Sequence, residues 1–196
     1  MMTFAESYLR DLVDGFAVSD VYPYSTRNNR KIEEFLSQLV GRLSDITSIS
    51  IEADFNHYGS GYASYVPLNI SKRDKSDVIQ EHHSQGVSLT THGLMMNLSR
   101  VAPVAVYGGG HWTKAYTNGQ ETGGSSHFLE PEMLESLPSG AWEYELNSIR
   151  VILAEYGINI PQKEELARSL NFEIDIPTLL GDPPFRVFDC FFYWMD

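Results

Sequence analysis

Residues 185–196 most constrain how this chain can fold, because they contain an uninterrupted aromatic run from Phe191 to Trp194. Chain ends are usually polar and loosely held, since few contacts tie them down. In a strand, both faces of this segment would be mainly apolar. In a helix, Phe188, Phe191 and Phe192 would share one face. We therefore expect the segment to belong to the core, as either a strand or a helix, with the rest of the fold closed around it.

Two polar side chains interrupt the aromatic segment, and both are predicted to be structural. Asp189 has apolar neighbours on either side, so we interpret it as a buried acid that needs a partner, with Arg100 or Arg150 as candidates. Cys190 is the only cysteine, and its position inside the aromatic run favours a buried, inert thiol over a nucleophile. A single cysteine excludes an internal disulfide and is typical of a reducing compartment.

Hydrophobic periodicity predicts helices towards both ends of the chain and strands between them. Apolar residues recur at helical spacing in three long stretches, and a shorter helix is expected after Pro161. The predicted helices cover residues 4–16, 32–43 and 142–156, and the predicted strands cover 47–55, 63–70, 93–98, 101–107 and 112–116. This order indicates an α+β fold, a single domain over residues 1–196 with a largely antiparallel central sheet flanked by amphipathic helices.

Local composition predicts how some of these elements begin and how they are connected. Thr3 and Glu6 match a capping box at the start of the first helix, and Ser139 is the expected cap of the helix over 142–156. Residues 117–126 are rich in Gly, Asn, Ser and Thr and are predicted to form a mobile loop. Residues 130–137 are predicted to form a short acidic helix.

The formal charge of −12 is unevenly distributed along the chain. Residues 120–196 hold 14 acids and 4 bases, a net of −10, whereas residues 1–119 hold 12 acids and 10 bases, a net of −2. Such a negative field opposes binding to nucleic acid and to anionic membranes. It favours a basic protein partner, or it simply keeps the protein soluble. Because the sequence shows neither a signal peptide nor an apolar run of membrane-spanning length, the expected location is the cytoplasm.

Seven acids in the C-terminal part form the predicted partner-binding surface. They are Glu130, Glu132, Glu135, Glu143, Glu173, Asp175 and Asp182. Acids crowded into a region with few bases can steer and hold a basic protein. The competing interpretation is that they are the solvated face of helices, with no partner.

Gly108, Gly109, Gly110 and His111 form an alternative ligand site. A glycine-rich loop can cradle phosphate when its amides converge and a helix follows it. Here predicted strands lie on both sides, and no Lys-Ser or Lys-Thr follows the glycines. We therefore expect a flexible hairpin loop, for which glycine is favoured because it adopts positive φ.

No sequence pattern indicates a metal site, a cofactor or catalytic residues. The six histidines lack the spacings that place two ligands on one face, although His92 and His111 could converge on neighbouring strands. A Gly-x-Ser-x-Gly nucleophile elbow is absent from the sequence. Glu52 and Asp54 would share one side of a strand, as a two-acid site requires, but the alternation favours the wet face of a sheet. We therefore expect no metal, no cofactor and no enzymatic activity.

The acidic C-terminal third, with Phe188-Asp189 and the run from Phe192 to Asp196, resembles bacterial immunity proteins that neutralise polymorphic or contact-dependent toxins. These are small, acidic, cytoplasmic proteins without catalytic motifs, and they adopt many unrelated folds. The resemblance implies a non-enzymatic inhibitor that occludes a toxin domain, such as a basic nuclease. Two other functions stay open, namely a small enzyme or ligand-binding domain that uses residues 108–111, and an accessory component of a phage or secretion system.

Overall fold

Helices lie towards both ends of the chain and strands in its middle in the computed structural model, which describes residues 4–84 and 86–195. The helices are α1 (Glu6–Val13), α2 (Asn29–Ser44), α3 (Glu143–Glu155), α4 (Lys163–Leu166) and α5 (Val187–Phe191). The strands are β1 (Ile49–Ala53), β2 (Tyr62–Ala63), β3 (Tyr65–Lys72), β4 (Val78–His83), β5 (Gly86–Ser99), β6 (Ala105–Thr117), β7 (Gln120–Ser126) and β8 (Trp194–Met195). The predicted α+β fold, with a largely antiparallel sheet and flanking helices, is confirmed.

The main sheet is built around the long strand β5. Its strand order is β1-β3-β5-β6-β7, with β4 also paired to β5, and every pairing is antiparallel. On one side of β5, the first half pairs with β4 and the second half with β3. On the other side, β6 pairs with β5 from Val87 to Leu98. A separate two-stranded sheet joins β2 to β8.

The central part of the sheet is buried on both faces, because helices cover each of them. Successive side chains of a strand point to opposite faces. Leu94 and Met96 of β5 therefore pack in a cluster with α2 and α3, whereas Met95 packs in a second cluster with α1, α4 and α5. The two amphipathic helices predicted over 32–43 and 142–156 are confirmed and lie on the same face of the sheet.

Most of the apolar residues in 185–195 belong to the core, as predicted, although Met195 at the end is 38% exposed. The segment forms a short helix followed by a short strand. Phe191 is fully buried and Phe192 is 2% exposed. Cys190 is also buried, and burial raises the pKa of its thiol to about 12, which agrees with the predicted inert thiol. Ser64 fixes the strand end of the segment, since its N–H donates to the Tyr193 carbonyl and its hydroxyl accepts from the Tyr193 N–H, both at 2.8 Å.

The prediction of a mobile loop over residues 117–126 is wrong, because Gln120–Ser126 forms the edge strand β7. A tight turn at Asn118 and Gly119 connects it to β6, and both residues have positive φ, at 51° and 79°. Asn-Gly is the preferred pair for such a hairpin turn, because both positions of the turn require positive φ. This sequence signal was present, but the abundance of Gly, Ser and Thr in β7 concealed it.

The Gly108–His111 run lies in the middle of β6, so the prediction of a flexible hairpin loop there is wrong. The pairing of β6 with β5 continues through all four residues, from Gly108 opposite Met95 to His111 opposite His92. With their backbone groups engaged in a sheet, the three glycines do not form a loop whose amides could converge on a phosphate.

Close approach of a second stretch of backbone explains Gly108 and Gly109, whereas the Met95 side chain of β5 lies against Gly110. Residues 133–138 run alongside the edge of β6, where the Glu135 N–H donates to the Tyr107 carbonyl at 2.9 Å. A Cβ atom on Gly108 would lie 2.4 Å from the Met133 carbonyl oxygen, closer than real contacts allow. Glycine in a strand often marks a place where another backbone approaches in this way.

Replacement of Gly108 by alanine is expected to destabilise the protein by about 1–3 kcal/mol, since the added methyl group must displace backbone. The matched control is Gly41→Ala, because Gly41 lies within α2 and a Cβ atom there would meet nothing within 4 Å. That change should stabilise the helix by about 0.5–1 kcal/mol. Urea unfolding measures both, and a Gly108→Ala protein as stable as the parent would contradict the close approach.

The residues at which the helices begin match the sequence-based predictions only in part. Asn28 caps α2 by accepting a hydrogen bond from the Lys31 N–H at 3.1 Å. The residue that precedes α3 is Trp142, so the prediction that Ser139 caps this helix is wrong. Thr3, the predicted capping residue of α1, lies outside the described residues. Between 130 and 137 the chain forms only the 3-10 turn Pro131–Met133 instead of an acidic helix.

Candidate functional site

The clearest candidate site is an acidic groove between the end of α1 and the segment that precedes α5. Its volume is about 680 Å³. The lining residues are Arg10, Asp14, Glu173, Ile174, Asp175, Ile176, Thr178, Gly181, Asp182, Pro183 and Phe185. Three of the seven predicted partner-binding acids, Glu173, Asp175 and Asp182, therefore come together in this groove.

Local sequence explains why Glu173 and Asp175 are exposed in the groove while Ile174 and Ile176 pack mainly against the core. Burial alternates along the segment, as expected where successive side chains point in opposite directions. Ile176 is 3% exposed and Ile174 is partly buried against the same core cluster. Glu173 and Asp175, which alternate with them, are exposed. The alternation thus anchors the segment and presents two carboxylates to solvent.

α1 supplies the remaining charges of the groove. Asp14, just after the end of α1, adds a fourth carboxylate, which the sequence-based set did not include. Arg10 is the only basic side chain in the lining, and it is already paired with Glu6 at 2.8 Å. It also lies 4.6 Å from the centre of the Phe172 ring. Four carboxylates therefore face one partly neutralised guanidinium, and the groove carries a negative potential.

The other four predicted acids lie outside this groove. Glu132 pairs with Arg186, whose hydrogen bond lowers the pKa of the Glu132 carboxyl. Glu135 accepts a hydrogen bond from the Lys163 N–H at 3.0 Å and so holds the start of α4. These two acids connect segments of the protein to each other. Glu130 and Glu143 are exposed, the latter in the first turn of α3.

Asp189 does not pair with an arginine side chain, so the candidate partners Arg100 and Arg150 are wrong. Its carboxylate accepts a hydrogen bond from the Arg186 N–H at 2.7 Å, at the start of α5. Burial raises the pKa of Asp189, although this hydrogen bond and the charge of Arg186 oppose the increase. Arg150 instead donates to the Tyr107 hydroxyl at 2.7 Å.

The two-acid pair on β1 is engaged in other contacts. Glu52 pairs with Lys114 of β6 at 2.6 Å. Asp54 accepts hydrogen bonds from the N–H groups of Asn56 at 2.6 Å and Tyr58 at 2.9 Å, which shape the turn after β1. Both carboxylates therefore have structural partners.

The histidines converge further than the sequence indicated. His92 and His111 are cross-strand neighbours, as considered from the sequence, with ring centres 5.7 Å apart. His127, which follows β7, joins them, and its Nε2 lies 3.1 Å from that of His111. Within the described residues, no group of three or more His, Cys, Asp or Glu side chains is arranged to hold a metal ion.

Two further observations concern the whole chain and do not assign a function to the acidic groove. Across residues 4–84 and 86–195, each helix is too short or too polar to cross a bilayer. Comparison of the chain with protein-family models, with curated proteins and with solved structures finds no match.

Proposed function

We propose that this protein is a non-enzymatic, acidic binding protein that engages and neutralises a basic partner protein in the cytoplasm, in the manner of a toxin immunity protein. The observation that carries the proposal is the acidic groove. Its carboxylates come from two distant parts of the sequence, Asp14 just after α1 and residues 173–182, and they lie near the paired Arg10. A basic segment of a partner would find there both its counter-charge and a surface on which to lie.

The groove suits lysine and arginine side chains in particular. Both carry an apolar stem below a charged head, and they bury the stem against apolar surface when the head finds an acid. Ile174, Pro183 and Phe185 supply apolar surface in the groove, beside the carboxylates. Complementary charge of this kind mainly accelerates association and selects the partner. The net charge of −12 adds a long-range field of the same sign.

Charge reversal in the groove tests the proposal. The double variant Asp175→Lys and Asp182→Lys should slow association with a basic partner protein isolated by co-purification by about tenfold or more at low salt. The matched control is Glu121→Lys with Glu155→Lys, which changes the net charge equally at exposed acids outside the groove. Stopped-flow association at several salt concentrations and rescue of cells that express the toxin are the measurements.

Three outcomes would contradict this function. Association that does not depend on salt would remove the electrostatic argument. Equal loss in the groove and control variants would show that only net charge matters and that the groove is not the docking site. No binding and no rescue by the unmodified protein would reject the neutralising function itself.

A further inference from the structure

Three exposed histidines lie together at the edge of the sheet face that α2 and α3 cover. His92 and His111 occupy facing positions of β5 and β6, two residues beyond Leu94, which is fully buried. His127 follows the last residue of β7. The three residues, called here the histidine cluster, are far apart in sequence and are assembled by strand pairing alone. The groove lining includes none of them.

The separation of His111 and His127 matches that of two ligands of one metal ion. Imidazole nitrogens that bind Zn²⁺ at about 2.0–2.1 Å in tetrahedral geometry lie roughly 3.3 Å from each other. In a square-planar Cu²⁺ site the separation of adjacent ligands is roughly 2.9 Å. The observed Nε2–Nε2 distance is 3.1 Å, and the ring centres are 4.5 Å apart with the planes inclined at 63°.

The same contact without a metal is a hydrogen bond between the two rings. One Nε2 then carries a proton and the other presents its lone pair. When a metal ion binds, the donating ring carries its proton on Nδ1 instead, so both neutral imidazoles present an Nε2 lone pair to the ion. Among the hydrogen bonds and ion pairs of the described residues, neither Nε2 atom has a carboxylate or any other partner besides the opposite ring.

We propose that His111 and His127 chelate one divalent transition-metal ion, Cu²⁺ or Zn²⁺, through their Nε2 atoms. Imidazole is a preferred ligand of both ions. Because only two protein ligands are in place, water fills the other positions, and the affinity is moderate. His92 is the nearest additional imidazole and would strengthen binding if its ring turned towards His111. The ion would link β6 to the segment after β7 and so hold the edge strand in place.

Isothermal titration calorimetry of the untagged full chain with CuCl₂ and, separately, with ZnCl₂ tests the site. We expect one ion per chain, with affinity reduced at least tenfold in His111→Ala and in His127→Ala and less in His92→Ala. Copper electron paramagnetic resonance should show at least two coordinated imidazole nitrogens in the parent protein.

The matched control is His82→Ala with His83→Ala. These histidines are equally exposed but are paired with Gln80 at 2.9 Å and Ser88 at 2.8 Å, and their removal should leave the affinity unchanged. Equal loss in this control, unchanged affinity in His111→Ala and His127→Ala, or no binding by the parent protein would overturn the proposal. Thermal melts of each apo variant should match the parent, since all the substituted side chains are exposed, and this separates lost ligands from lost fold.

Discussion

Removal of residues 188–196 is expected to abolish cooperative folding. The segment places Phe188, Phe191 and Phe192 in the core cluster that also holds α1 and α4. Truncation of one such buried aromatic side chain costs about 3–5 kcal/mol. Because a domain is stable by only about 5–15 kcal/mol, loss of several together exceeds the whole stability. The deletion also removes β8 and with it the backbone partners of β2 and Ser64.

Circular dichroism during heating measures this effect, and point variants keep the chain length constant. Phe191→Ala should lower the free energy of unfolding by about 3–5 kcal/mol. Tyr144→Ala is the matched control, because Tyr144 is 73% exposed, and it should change stability by less than about 0.5 kcal/mol. A truncated protein that melts cooperatively near the parent temperature would show that the segment is an appendage and not core.

Replacement of Arg100 by alanine is the second substitution with a large expected effect. The guanidinium is 5% exposed and forms an ion pair with Glu33 of α2. It also donates to the carbonyl oxygens of Ala63 at 2.9 Å and of Tyr65, so it joins α2 to the strands β2 and β3. Removal leaves a carboxylate and buried carbonyls without their donor, and such a loss costs about 3–5 kcal/mol.

The exposed arginine of α2 provides the control for this substitution. Arg30 pairs with Glu34, but its side chain is 89% exposed, so Arg30→Ala should cost less than about 1 kcal/mol. Arg100→Lys should fall between the two, since it keeps the charge but cannot reach several acceptors at once. Urea unfolding gives all three values. A small effect of Arg100→Ala would mean that water replaces the guanidinium at little cost.

The elements that the sequence predicted well are those whose signal is local and strong. Apolar residues at helical spacing over 32–43 and 142–156 predicted amphipathic helices with one face on a core, and both helices are present. Alternation over 47–55 likewise placed β1. By contrast, β4 and β7 carry no clear alternation, because both lie at the exposed end of the sheet and bury little. Pairing with β5 and β6 makes them strands.

Gly108 to His111 and Asp189 show why composition alone misleads. Three consecutive glycines predict a turn when only the local sequence is considered, but here they lie within a strand, where the approach of residues 133–138 requires Gly108 and Gly109. Asp189 appeared to need an arginine because its neighbours in sequence are apolar. Its partner is the backbone of Arg186, three residues away, which becomes available only once α5 forms.

The candidate sites divide in the same way. The acidity of the C-terminal part and the exposure of Glu173 and Asp175 follow from composition and alternation, which are properties of short stretches. Composition and alternation do not predict that Asp14 joins the acidic groove or that His127 joins the histidine cluster. Both depend on which distant segments come together.

The aromatic residues of 185–195, the helical stripes and the uneven charge were sufficient by themselves to determine that this chain has a core, helices around a sheet and an acidic C-terminal part. The tertiary structure alone decided how the aromatic segment folds, where the glycines lie and which acids and histidines meet. The physical reason is range: burial of apolar residues imposes a local period on the sequence, whereas strand pairing and helix packing join residues that no local pattern relates.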